Sequence, residues 1–451
     1  MHPTRIVLIV GLALWLPLGV RAQQMADRYA AEAVAGNLAL KRQDLAIEKS
    51  AQALREAKGL FFPQVSFNAS YTLAAGGRTL AFPVGDLLNP INATLNALTG
   101  SDQFPTNVPN VSEQFLPNNF HETKVRVIQP LFNSDIYFNY KARQAMIPVE
   151  EARREAYRGE LIREVRTAYL GYLQADALIR IHEESIRLLE EIVRVNRRLV
   201  ENQQATRDAV YSAEAELSLA GQSLAEAQQQ RNTARAYVNF LLNRELSTPL
   251  EPDSIQAPQP QALSLAPMQD EAVGSRAELR QLQAAGTAQE AALSVSRYSY
   301  LPKVNAVVDA GFQGFGYNLG NGEQDFVLAQ VSLQWDLFKG SQNRARHEQA
   351  RIDQDVLALQ QDEVAQQIRM QVQQASDRLQ AGYAAWQAAE AGARSARQAY
   401  TLILKRYQQD QAILAELLAA RTRLTQAEVA RSIQAAEWHR RQAELDFALG
   451  R

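Results

Sequence analysis

The chain has 451 residues, with 47 Lys and Arg against 49 Asp and Glu, a formal net charge of −2 and no cysteine. Near-neutral charge argues against a nucleic-acid or polyanion binder, which needs a basic surplus. Without cysteine there is neither a disulfide nor a lipid-modified cysteine anchor, so stability must come from packing or assembly.

The opening "MHPTRIVLIVGLALWLPLGVRAQQ" reads as an export signal over residues 1–22. Arg5 supplies the positive start, Ile6–Leu18 the short apolar core, and Val20-Arg21-Ala22 the small residues before an expected cleavage after Ala22. The apolar run is short and contains a proline, which disfavours a membrane-spanning helix; an uncleaved N-terminal anchor is the alternative.

A first repeat is expected over 23–242. Its opening helical pattern, Met25–Leu60, stops at "LFFPQV". Beyond Pro63 the apolar residues Val65, Phe67, Ala69 and Tyr71 alternate with polar ones, which predicts a strand over 65–73. A long loop from Ala74 to Glu122 follows, then a second strand over 124–131. From Asn133 to Val200 the apolar residues step by fours and threes, predicting a helix of about 100 Å at 1.5 Å per residue. A break and a return helix, Asp208–Leu242, complete the unit.

Pro249, Pro252, Pro258, Pro260 and Pro267 then mark 243–274 as a linker. The second repeat, 275–451, runs through the same order. A helix over Ser275–Arg297 ends at "SYLPKV", strands are expected at 304–312 and 327–337, a long helix at Lys339–Tyr407, and a return helix at Ile413–Leu449. Matched seam positions of the two long helices differ by one offset, since 375 − 168, 386 − 179 and 407 − 200 all equal 207. Heptad spacing alone also fits an isolated antiparallel coiled coil.

The strands alternate apolar and polar over nine to eleven residues, as transmembrane β-strands do. A soluble sheet with one buried face shows the same alternation. The export signal and the aromatics at the strand ends favour the membrane. Phe61, Phe62, Tyr298, Tyr300 and Trp335 fall where an interfacial girdle belongs. Four strands do not close a barrel, and hydrocarbon tolerates no open edge, so several copies must share one.

In this duplicated order the chain resembles the TolC-like outer-membrane efflux proteins over essentially its whole mature length. "LFFPQV" and "SYLPKV" match the strand entries, "QPLFNS" and "WDLFKG" the strand-to-helix exits, and "ATRDAVYSAEAEL" and "YQQDQAILAELLAARTRL" the two tip turns. The resemblance implies a mainly α fold with membrane β. Duplicated long α-hairpins would form a periplasmic α-barrel, and four β-strands per protomer would join a shared transmembrane β-barrel in a homotrimer. It further implies location in the outer membrane of a Gram-negative bacterium, reaching into the periplasm. The implied partners are outer-membrane lipid, a periplasmic adaptor, and an inner-membrane efflux pump or ABC exporter.

The resemblance also assigns the tips. Asn202, Gln203, Gln204, Ala205 and Thr206, with Gln409, Gln411, Ala412 and Ile413, occupy the adaptor-docking turns. Gln203 and Asp410 stand where relatives carry a turn-closing glycine. Glu416 matches the first acid of the family's entrance ring, Ala419 replaces the second, and Asp410, Arg207 and Asp208 are further gate candidates. The five histidines lie in no metal-ligand or catalytic spacing and no glycine-rich phosphate loop occurs, so neither an enzyme nor a cofactor is expected. The expected role is a passive exit duct of a tripartite efflux system. Type I protein secretion is the sibling role, and a periplasmic coiled-coil adaptor the reading from another class.

Overall fold

The computed structural model describes residues 21–316 and 324–451. The export signal expected over 1–22 lies outside them except for Arg21 and Ala22, the first residues of a helix; residues 317–323 of the second hairpin loop are likewise outside. The chain divides into two compact units. One is helical (1–51, described from 21, with 145–287 and 353–451), and the other carries the main sheet (52–144 and 288–352).

The helical unit draws on α1 (Arg21–Gly36), α2 (Leu38–Gly59), α4 (Ser134–Glu201), α5 (Arg207–Leu241), α6 (Leu265–Ser275), α7 (Ala277–Tyr298), α8 (Gln342–Gln408) and α9 (Leu414–Ala448). Apolar residues recur at threes and fours, so each helix has one face to bury. On α8 every seam position from Ile368 to Tyr407 is buried or half-buried. On α4 the seam from Leu161 to Val200, Ala168 included, is likewise buried or half-buried, and Tyr169 beside it is buried too, its ring 5.1 Å from that of Tyr29.

Two cores of the unit are one core built twice. Ala33, Leu40, Leu161, Val165, Leu241 and Leu242 cluster in the first repeat; Ala272, Leu279, Ile368, Val372, Ala448 and Leu449 cluster in the second. The offset is 239 ahead of the strands (272 − 33, 279 − 40) and 207 after them (372 − 165, 448 − 241), the difference being the longer first hairpin loop. Each fully buried Leu or Ile contributes about 1.5–3 kcal/mol.

The same offset corrects the linker. Residues 265–274 of the expected connector belong to α6, the counterpart of α1, with Pro267 tolerated in its first turn. The single helix expected over Met25–Leu60 is also two, broken at Asn37. Asn37 Oδ1 accepts hydrogen bonds from the amides of Ala39 (2.9 Å) and Leu40 (3.1 Å), starting α2 afresh, while its Nδ2 donates to the Leu241 carbonyl (3.0 Å). In the second repeat Arg276 holds the matching place. It donates to the carbonyls of Phe447 and Ala448 and is held by Glu278 at 2.6 and 2.9 Å.

The other unit contains an antiparallel sheet in the order β1 (Gln64–Thr72), β4 (Phe120–Phe132), β5 (Lys303–Phe315), β6 (Asp325–Gln334). The two repeats meet at the central β4–β5 pair. The last strand ends at Gln334, short of the expected 337, so Trp335 and Leu337 lie just beyond it. The first loop is not irregular throughout: β2 (Thr79–Phe82) pairs with β3 (Val111–Gln114), with α3 (Val84–Thr99) between them.

Candidate functional site: two tip turns and an apolar sheet

The tips are two copies of one helix ending. After α4 the Gln203 amide donates to the Val200 carbonyl and the Gln204 amide to the Leu199 carbonyl. After α8 the Asp410 amide donates to Tyr407 and the Gln411 amide to Arg406. These nested bonds require a left-handed residue, and Gln203 (φ 61°) and Asp410 (φ 58°) supply it. Thr206 and Ile413, also 207 apart, then enter α5 and α9 in extended conformation. Asn202, Gln203, Gln204, Thr206, Gln409, Gln411 and Ile413 are exposed; Ala205 and Ala412 are half-buried.

Glu416 lies in the first turn of α9 and faces solvent. Its Oε2 stands 3.8 Å from Arg406 Nη1, a half-exposed pair spanning the second turn and worth under about 1 kcal/mol. Arg406 also donates to the Gln411 carbonyl at 2.9 Å, bracing the turn from outside. Arg207 and Asp208 are exposed at the start of α5, and among the described residues no ion pair within the chain engages either. Among the described residues no hydrogen bond or ion pair links Glu416 or Asp410 to Arg207 or Asp208.

Behind the tips lies a polar core that sequence reasoning passed over. Arg421 on α9 is 4 % exposed, with Nη1 3.7 Å from Glu216 Oε2 on α5, and Thr422 Oγ1 donates to the same carboxylate oxygen. Burial lowers the Arg421 pKa against the opposing pull of Glu216. Burial also lowers that of His182, with Arg421 adding to the effect. On the facing helices Tyr407 donates to Asn196 Oδ1 at 3.0 Å, and Asn196 Nδ2 to the Ile192 carbonyl at 2.8 Å. The signal was present: Leu417, Arg421 and Leu424 step by four and three, placing the arginine on an apolar stripe.

The sheet has two unlike faces. Val65 (68 %), Phe67 (69 %), Val327 (77 %), Val331 (68 %) and Leu333 (63 %) leave one face apolar and bare. On the other face Arg126 grips Asp309 through two bonds of 2.8 and 2.7 Å, and Lys124 pairs with Glu122 at 2.5 Å. Gly311, opposite Lys124, is required there, since a Cβ would lie 2.1 Å from the Thr123 carbonyl oxygen. Where helices give way to strands the aromatics gather. Phe61 meets Tyr140 edge-on at 5.9 Å, Tyr298 stacks on Phe138 at 4.8 Å, and Trp335 Nε1 donates to the Tyr300 carbonyl. Phe62 and Tyr300 are exposed beside them. No described helix is long and apolar enough to cross a membrane.

Long duplicated helices and a four-stranded sheet with a bare apolar face are the fold of solved outer-membrane channels. Residues 269–451 match the family model described as outer membrane efflux protein. The chain is similar in structure to CusC, with 15 % identity, a TM-score of 0.76, and coverage of 100 % of this chain and 99 % of that one. It is also similar to VceC of Vibrio cholerae (16 %, TM-score 0.73, 96 % and 97 %) and to the MtrE channel of Neisseria gonorrhoeae (18 %, TM-score 0.73, 94 % and 89 %). At such identities the likeness speaks for the fold. No curated protein matches the sequence.

Proposed function

We propose that the protein is the outer-membrane exit duct of a tripartite efflux system. As a homotrimer it would passively conduct substrates that an inner-membrane pump delivers through a periplasmic adaptor. The observation that carries this reading is the sheet: a periplasmic adaptor has no use for an apolar face this bare and for strand edges left unpaired among the described residues, whereas a shared barrel in lipid needs both. The family match over 269–451 supports it. The chain is not lipidated in this reading, having no cysteine. The exposed turns 202–206 and 409–413 serve as the adaptor-docking tips, with the Ile413 side chain (64 % exposed) offering an apolar contact. Glu416, with Asp410 in the same tip and Arg207 and Asp208 in the first, lines the periplasmic entrance, where symmetry-related copies of the acid would attract cations.

The test is membrane fractionation followed by reconstitution in planar bilayers. The protein should separate with the outer membrane and open cation-preferring channels, and Glu416→Ala should weaken cation preference or divalent block. Recovery in the soluble periplasmic fraction without conductance would return the protein to the adaptor class. Unchanged selectivity in Glu416→Ala would remove only the gate assignment.

A further inference from the structure

The loop between β1 and β4 holds a helix whose two faces are used differently. One face of α3 is tied down. Asn89 exchanges hydrogen bonds with Val108 (3.0 and 2.8 Å), Asn96 does the same with Phe104 (2.7 and 3.0 Å), and Asn92 Nδ2 donates to the Pro105 carbonyl at 2.7 Å. Gly85 lets the 104–110 strap approach so closely that a Cβ there would lie 2.1 Å from the Val108 carbonyl oxygen. The helix is held in one orientation by its asparagines and not by its leucines.

The opposite face is a stripe of Val84, Leu87, Ile91, Thr94 and Leu98, stepping three, four, three, four. Leu87 is 63 % exposed, Ile91 53 % and Leu98 79 %. Thr94 turns its hydroxyl inward to the Pro90 carbonyl at 2.9 Å, so the only polar member of the stripe is already satisfied. This is the spacing of a helix-to-helix seam. It is not the composition of a helix lying on lipid, which carries Lys or Arg on its polar face and aromatics on the other. Asp86 is the only ionisable residue of α3 and the helix has no aromatic; residues 73–119 hold Arg78 against Asp86, Asp102 and Glu113, a balance that repels an anionic lipid surface. The segment also grows from β1, an edge strand with β4 as its only partner among the described residues. A second copy must come to that edge.

On the footing of the exit-duct reading, we propose that α3 is a contact between copies of this chain, the 84–98 stripe of one packing against that of the next across the outer mouth of the shared barrel. The occupant of the bare face is thus another α3.

The absence of cysteine makes the test direct. In full-length protein in outer membranes, Ile91→Cys and, separately, Leu98→Cys should give an interchain disulfide on mild oxidation. Ala93→Cys, exposed on the other side of the helix, should give at least fivefold less. Equal cross-linking at 91 and 93, or none at either 91 or 98, would overturn the contact. So would quenching of a fluorophore on Leu98→Cys by brominated lipid, which would seat the stripe in the membrane. Native mass measured on the same samples separates the two readings: an oligomer without the disulfide removes only the α3 contact, and a monomer removes the shared barrel as well.

Discussion

At the scale of the residue, the informative positions are those whose side chain runs against the local backbone or the apolar surroundings. Gln203 and Asp410 hold left-handed conformations that cost a side chain about 1 kcal/mol or more relative to glycine. Gln203→Gly should therefore raise the thermal unfolding midpoint in detergent, and Asp410→Gly should raise it less, since Asp tolerates this region better. A fall for both would mean that the side chains make contacts worth more than the strain. Arg421 presents the opposite case. Removing it leaves Glu216 without its buried partner, so Arg421→Ala should cost about 1–3 kcal/mol, and the double change Arg421→Leu with Glu216→Gln should recover much of that. Urea titration of the single and double variants measures the difference. His182 and His439 set a pH dependence. Burial lowers both pKa values, with Arg421 adding to it at His182 while the Gln256 carbonyl bonded to His439 opposes it. Between the depressed folded value and the unfolded value near 6.5 the unfolded chain binds more protons, so stability is complete above about pH 6.5 and falls as pH drops below it. Replacing both histidines with Gln should flatten melting midpoints recorded from pH 7.5 to 5.

At the scale of the element, legibility followed the length of the signal. The long helices were readable to within about three residues because the heptad pattern repeats many times and one offset locks both copies together. The four strands were readable from period-two alternation, which Pro63 and Pro302 introduce at β1 and β5. What was missed is short. The break at Asn37 interrupts no apolar pattern, and only the adjacent pair Gly36-Asn37 hints at one helix ending and another being capped. Asn37→Ala should cost about 1–2 kcal/mol through the lost cap and the orphaned Leu241 carbonyl, read from the loss of helical ellipticity on heating. The helix α3 was hidden by Pro90 and by asparagines that suggest a turn, because their role is to bond a distant strap rather than their own backbone. At the tips the breaks were legible where the heptad pattern stops, and the resemblance assigned their residues. The Arg421–Glu216 pair was not, since its two members lie on different helices and neither follows a motif.

At the scale of the whole molecule, duplication explains both the order and the unmet needs. Each repeat encodes the same helical core once, and the repeats join only two strands apiece into one sheet, leaving β1 and β6 as unpaired edges among the described residues. An unpaired edge and a bare apolar face are each liabilities for a single chain in water, and assembly within lipid removes both. The two faces of β6 make this measurable. Val331 belongs to the apolar face and is 68 % exposed, while its neighbour Gln330 projects from the polar one. A lysine facing lipid near the bilayer midplane costs about 2–4 kcal/mol and one facing a watery interior costs little. Val331→Lys should therefore sharply reduce heat-resistant oligomer recovered from the outer membrane, whereas Gln330→Lys should assemble almost as well as the parent. Equal losses in the two variants would mean that the faces of this sheet do not look out on different solvents, and the barrel reading would fail with them.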